Sequence, residues 1–201
     1  MSLSSRMVVV LTAVGLLSGG FLASVGILTK DRIALNRKME IERAIVSVVP
    51  GSVASETLYE EKDFIVYGGK NEAGALKGFA IYTSGIGFQD KIILMIGVDA
   101  SLSRLFSLIV LDQKETPGLG AKITDRTSFL VYWEDKDFTQ SFRLRKPPAP
   151  ALESLSASEV NTITGATISS EAVLNIVNAA QEKARALYEE GRLSFGGAHA
   201  E

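Results

Sequence analysis

Five hydroxyl side chains, Thr162, Thr164, Thr167, Ser169 and Ser170, crowd the stretch VNTITGATISSEAVLNIV from Val160 to Val177, and Gly165 and Ala166 remove side-chain bulk in their midst. Two chemistries use such a set. A Ser or Thr at the start of a helix accepts a hydrogen bond from a first-turn backbone N–H; Ser169 and Ser170 stand where such caps belong, and Glu171 would complement the helix dipole. The other is anion binding, because a bulk-free loop at a helix N-terminus leaves backbone N–H groups free to hold a phosphate. Capping needs only one or two hydroxyls and five are present, yet the residue types alone leave both uses open.

A second stretch, KETPGLGAK from Lys114 to Lys122, also combines rigidity with freedom. Pro117 fixes one φ angle, while Gly118 and Gly120 permit turns and a close backbone approach to a planar ligand. An ordinary Pro-Gly turn explains the same residues. Asp90, Asp99, Asp112 and Glu115 are scattered carboxylates that read as turn or solvent-face charges rather than as an acid–base pair. Phe88, Tyr132 and Trp133 could stack on a flat ring system, although aromatic residues in such runs also build cores.

Other chemistries are closed off. The chain has no cysteine and a lone histidine, His199, so thiolate or multi-histidine metal sites, cysteine nucleophiles and a Ser-His-Asp triad cannot readily be assembled. A net charge of -2 and a pI near 5.6, without any Lys/Arg-rich block, exclude nucleic acid as an expected partner. The absence of disulfides suits an exported domain that folds without oxidation and equally suits the cytosol.

The elements that must carry these residues begin with a membrane anchor. From Met7 to Leu28 the chain has 22 consecutive uncharged residues. As a helix they extend roughly 33 Å, enough to cross a hydrocarbon core of about 30 Å. A cleaved signal peptide would need only VVVLTAVGLL and a small-residue SGG site, but the apolar run continues through Phe21, Leu22, Val25, Ile27 and Leu28, so a retained transmembrane helix over residues 1–29 is expected. Gly15, Gly19 and Ala23 form a small-residue stripe within it. Arg6 alone precedes the span, whereas Lys30, Arg32, Arg37, Lys38 and Arg43 follow it, so a simple positive-inside count would leave the rest of the chain in the cytoplasm.

Residues 30–50 read as a juxtamembrane helix with Leu35, Ile41, Ala44, Ile45 and Val48 at helical spacing, stopped by Pro50-Gly51. The period then changes. DFIVYGG, LKGFAIYTS, KIILMIGVDA and RLFSLIVLD are β-rich runs separated by turn residues. DRTSFLVYW predicts a short helix, QSFRLRK a further strand and PPAPALESLSAS a loop. A final helix is expected from about Ser170 to Glu190, with Val173, Ile176, Val177, Ala180, Ala184 and Leu187 on one face. Strands grouped first and a long helix last indicate an α+β domain over residues 51–190, an antiparallel sheet packed against helices, followed by a frayed tail over 191–201.

TITGATISSEAV closely resembles the Ser/Thr-Gly-Ala-Thr motif of a family of bacterial FMN-binding proteins: the G subunit of the Rnf electron-transport complex and the C subunit of the sodium-pumping NADH:quinone reductase. KETPGLGAK is similar to that family's Glu-Thr-Pro-Gly-Leu-Gly loop near the flavin, and GIGFQDKIILMIGVD to its glycine-aromatic turn and following strand. The resemblance implies FMN attached through its phosphate to the Thr167 hydroxyl by a separate flavin transferase. It also implies a cofactor site formed by Thr164, Gly165, Ala166, Ser169 and Ser170, by Glu115, Thr116, Pro117, Gly118, Leu119 and Gly120, and by Phe88. Asn161 stands where the transferase motif usually has Asp.

The compact length under one membrane helix, and Phe88-Gln89 in the turn that commonly carries tryptophan in the quinone-reductase protein, favour the Rnf side. That resemblance implies an electron relay between membrane subunits of an ion-translocating ferredoxin:NAD oxidoreductase. Its domain would lie on the extracytoplasmic side of the cell membrane, against the charge count. The alternatives are a covalent-FMN carrier outside such a complex, serving a quinone reductase or extracellular electron transfer, and a membrane-anchored binding or scaffold domain in which the hydroxyls merely cap a helix.

Overall fold

The computed structural model describes residues 2–193. Two compact units divide the chain at Ile41 and Glu42. A long helix, α1 (Leu3–Val48), supplies most of the first. Residues 7–28 are exposed all round despite being largely apolar, the surface expected of a helix whose solvent is lipid, and α1 is long and apolar enough to cross a membrane. Two of its hydroxyls bond back to the helix: Ser24 donates to the Gly20 carbonyl and Thr29 to the Val25 carbonyl, each at 2.8 Å. Such back-bonding suits a helix that has no water to turn to.

The second unit is an α+β domain. Strands β1 (Ala54–Glu61), β2 (Phe64–Lys70), β3 (Leu76–Ile86), β4 (Lys91–Asp99), β5 (Arg104–Asp112) and the two-residue β6 (Lys136–Asp137) form an antiparallel sheet in sequential order. The four β-rich runs of the sequence coincide with β2 to β5. β1 escaped the pattern because SETLYEE lies on the sheet edge, largely exposed, and has no apolar alternation to display. Its acidic residues suit an edge that must not recruit another strand.

Alternate positions of β3 and β4 enter the main core: Phe79 and Ile81 from one, Ile92, Leu94, Ile96 and Val98 from the other. Over that face lies α2 (Thr167–Glu189), burying the stripe Val173, Ile176, Val177, Ala180, Ala184 and Leu187 as the spacing predicted. The contact is close because β3 carries Gly85, where a Cβ would lie 2.5 Å from Ile176 Cγ1. On the other face, Val48 and Val49 at the end of α1 seat against Gly97, Gly69 and Gly78. Ala44, Ile45 and Val48 are buried, so the last turns of the expected juxtamembrane helix belong to the domain, whereas Leu35 stays exposed.

Four sequence expectations are corrected or resolved. DRTSFLVYW contains only a 3-10 turn, Leu130–Trp133, preceded by a turn that the Asp125 carboxylate organises by accepting from the Thr127 and Ser128 N–H groups. Trp133 and Tyr132 are core and core-flanking residues, with Trp133 fully buried edge-on to Phe129 and Phe142. QSFRLRK does form a strand, β7 (Arg143–Arg145), but it pairs in parallel with β8 (Glu159–Asn161) outside the main sheet. Finally, the tail is not frayed at its start: Leu193 is buried against the core, because Arg192 N–H returns to the Leu187 carbonyl at 2.9 Å and folds the chain back. Residues 194–201, with His199, lie outside the described residues.

Candidate functional site

α2 begins three residues earlier than expected, and this changes what the five hydroxyls do. Its cap position is Ala166, and no side chain caps the helix. Ser169 and Ser170 therefore sit inside the first turn, both buried, rather than ahead of it. Ser170 Oγ accepts from the Ile163 N–H at 3.1 Å and donates to the Ala166 carbonyl at 3.0 Å, stitching the preceding loop to the turn. Ser169 donates to Glu115. Thr162 is buried and donates to the Arg145 carbonyl at 3.1 Å. Glu171 falls beyond the first turn and pairs with Lys146.

Two hydroxyls remain. Neither the Thr164 nor the Thr167 hydroxyl makes a hydrogen bond to another described residue; Thr164 is exposed on the turn, while Thr167 is half-buried and lines a cavity of about 390 Å³. That volume lies in the range of small-molecule and cofactor sites, about 300–1,000 Å³. Gly165, Ala166, Thr167, Ile168 and Ser169 form one wall of the cavity. Gly165 has φ +83°, a left-handed conformation that an L side chain resists, and this turn delivers the chain into α2 with the uncapped N–H groups of Thr167, Ile168 and Ser169 at the wall.

Glu115, Thr116, Leu119 and Gly120 make the facing wall, and Phe88 the third side. Glu115 is the largest departure from the sequence reading of the carboxylates: it is 4% exposed. Its Oε1 accepts from the Phe88 N–H at 2.8 Å and the Gln89 N–H at 3.1 Å, and Oε2 accepts from the Ser169 hydroxyl. Asp90, Asp99 and Asp112 follow the expected pattern of turn and surface charges. Asp90 pairs with Lys114 at 2.8 Å, and the Lys114 hydrogen bond holds its carboxyl below the usual range.

The structure separates the expected loop residues. Thr116, Leu119 and Gly120 reach the cavity together with Glu115; Pro117 and Gly118 do not line it. Gly118 has φ +76° and open space where a Cβ would stand, so its glycine serves the turn rather than a close approach. Gly120 is the crowded one, where a Cβ would lie 2.5 Å from Ser169 Oγ and 2.8 Å from Glu115 Oε2. Ile168 was absent from the expected site. It is an exposed apolar residue on the cavity wall, and its signal in the sequence was a large hydrophobe breaking a run of hydroxyls.

Over 183 residues, 88% of this chain and 92% of the relative, the sequence is 25% identical to the G subunit of the ion-translocating oxidoreductase complex of Methanosarcina acetivorans. It is 28% identical over 191 residues to the protein of that name in Shewanella amazonensis, covering 82% of this chain and 83% of the relative. Residues 87–182, which hold every wall of the cavity, match the FMN-binding domain family. That segment, and with it the chain's cavity, resembles the FMN-binding domain, and most of the chain's length resembles the G subunit. Its fold is that of NqrC: Shewanella oneidensis NqrC aligns with a TM-score of 0.52 at 20% identity, covering 65% of this chain and 67% of that one. The C subunit of the Na(+)-translocating NADH-quinone reductase of Parabacteroides distasonis gives 0.51 at 23% identity, over 66% and 64%.

FMN fits the residues present. A phosphate suits the uncapped first turn of α2, where N–H groups without intrahelical partners and the positive end of the helix dipole favour an anion. Phe88, Leu119 and Ile168 offer apolar surface for a ring system, and the cavity has no cluster of metal-ligating side chains among the described residues.

Proposed function

We propose that the chain is an electron-relay flavoprotein component of a membrane ion-translocating ferredoxin:NAD oxidoreductase of the Rnf type, carrying FMN in phosphoester linkage to Thr167, its domain on the extracytoplasmic side. The observation that carries the attachment point is the sorting of the hydroxyls. Thr162, Ser169 and Ser170 are buried and engaged, Thr164 is exposed outside the cavity lining, and Thr167 alone combines an unengaged hydroxyl with a place on the cavity wall.

FMN supplies one-electron redox chemistry, and the protein supplies position and electrostatics. In this chain the first turn of α2 would bind the phosphate end, the left-handed Gly165 would present the Thr167 hydroxyl to the flavin transferase, and Phe88, Leu119 and Ile168 would shield the ring from water. A covalent tether suits a relay, since a carrier whose affinity changes with redox state cannot then diffuse away. No general base or nucleophile toward a substrate is required. The apolar α1 holds the domain at the lipid bilayer beside the other membrane subunits, as the shared naming of its relatives supports.

Coexpression with an exported flavin transferase tests the attachment. Thr167→Val should abolish the fluorescent band on a denaturing gel, while Thr162→Val retains it. Peptide mass mapping should place the mass of FMN less one water on Thr167; an adduct elsewhere, or full labelling of Thr167→Val, refutes the assignment. Protease added to intact spheroplasts should digest the domain, and complete protection would move it to the cytoplasm.

A further inference from the structure

We propose that Glu115 is the positioning residue of the flavin pocket: its carboxylate latches three separate segments around the cavity and lowers the reduction potential of the flavin held there. The inference rests on the FMN reading above and goes beyond it to how the site is built and tuned.

The three segments meet at one side chain. The turn between β3 and β4 presents the Phe88 and Gln89 N–H groups to Oε1, and α2 presents the Ser169 hydroxyl, 54 positions away in sequence, to Oε2. The third segment is Glu115's own loop, whose N–H is held in turn by Gln113 Oε1 at 2.6 Å. Beside the latch, Gln89 Nε2 donates to Thr116 Oγ1 at 2.7 Å, a second tie between the same two loops. Bulk is removed on both sides: a Cβ at Gly87 would collide with Glu115 Oε1, and one at Gly120 with Ser169 Oγ and Glu115 Oε2. Donors from two other chain segments therefore converge on a carboxylate that solvent scarcely touches.

Burial of an acceptor with three donors is a structural device, but its place on the cavity wall gives it a second effect. No Lys or Arg is among its hydrogen-bond partners or the other residues lining the cavity, so no cation there offsets its negative charge. Reduction adds an electron to the bound group, and a fixed negative charge in a poorly solvated site opposes that addition.

The test uses the full chain coexpressed with flavin transferase and purified in detergent, as wild type, Glu115→Gln and Glu115→Ala. Glutamine keeps Oε1 as acceptor for both N–H groups and can donate to Ser169, so it preserves the latch and removes the charge. The FMN midpoint potential of Glu115→Gln should shift positive at unchanged flavin content. In FMN-free protein, hydrogen exchange at the Phe88 and Gln89 amides should stay slow in Glu115→Gln and accelerate about tenfold or more in Glu115→Ala, the effect expected for losing a hydrogen bond to a charged group. An unchanged potential, or loss of FMN from a Glu115→Gln protein whose amides remain protected, overturns the charge role. Unchanged exchange in Glu115→Ala overturns the latch. Wild-type protein without covalent flavin would instead defeat the FMN reading, and the exchange measurement would still judge the latch.

Discussion

Asn161 and Ala149 hold each other by two hydrogen bonds. Asn161 Oδ1 accepts from the Ala149 N–H at 2.8 Å and Nδ2 donates to the Ala149 carbonyl at 3.0 Å, closing the loop that leads from β7 back to β8. The side chain is 2% exposed, so it works inside the fold, six residues before Thr167.

From this pairing, Asn161→Ala should cost about 1–3 kcal/mol, since a partly buried backbone donor and acceptor lose their partner. Asn161→Asp can still accept but cannot donate while ionised, and its second oxygen would face the Ala149 carbonyl. The introduced carboxyl therefore gains a proton more readily in the folded state than in the unfolded one. Its folded pKa is raised, so the variant's deficit should be smallest at about pH 4 and below, near the unfolded aspartate value, and grow as pH rises from there to the raised value. Thermal unfolding of the detergent-solubilised chain between pH 4 and pH 7 measures both effects.

Ser170→Ala should separate stability from flavin attachment. The Ile163 N–H would lose its acceptor in a buried loop, with a cost of about 1–3 kcal/mol, while the Thr167 hydroxyl is untouched. The expected result is a lowered unfolding midpoint with FMN still covalently bound after coexpression with the transferase.

Acid should loosen the turn between β4 and β5. Burial pushes the Asp99 carboxyl up, but the Ser101 hydroxyl and the N–H and hydroxyl groups of Arg104 and Ser103 outweigh it, and the net direction is down. A carboxylate with a depressed folded pKa stabilises the fold above its unfolded value of about 3.9, and that contribution is lost as pH falls through the folded value. Asp99→Asn keeps an acceptor oxygen for the Ser103 and Arg104 N–H groups, which both bind Oδ1, at 2.7 and 2.8 Å. Its unfolding midpoint should therefore fall less steeply than that of wild type below pH 4.

Gly97→Ala should be among the most damaging single changes in the domain. A Cβ there would overlap the Val48 backbone carbonyl, which cannot rotate aside as a side chain could. Overpacking of this kind costs about 1–3 kcal/mol or more. Gly118→Ala meets no atoms and carries only the strain of a left-handed residue, roughly 1 kcal/mol. Denaturant unfolding of the two variants should rank them in that order.

Periodicity and punctuation in the sequence determined a good deal by themselves. The 22-residue uncharged run, the runs that became β2 to β5 and the apolar stripe of α2 were legible because each side chain's burial repeats with the local backbone period, which neighbours in sequence reveal. The resemblance of TITGATISSEAV and KETPGLGAK likewise pointed to FMN from short contiguous stretches. What each hydroxyl and carboxylate does was decided only by the tertiary structure. Ser169 and Ser170 looked like caps, and Glu115 like a surface charge, because local spacing cannot announce a partner 54 positions away. The parallel pairing of β7 with β8 was hidden for the same reason, since hydrogen bonds between distant segments leave no period in either one, whereas the edge strand β1 was hidden because its largely exposed residues carry no apolar alternation. Whether a polar group in this site caps, latches or stands free for a ligand depends on which distant donors and acceptors the fold carries to it, and burial then makes that pairing obligatory.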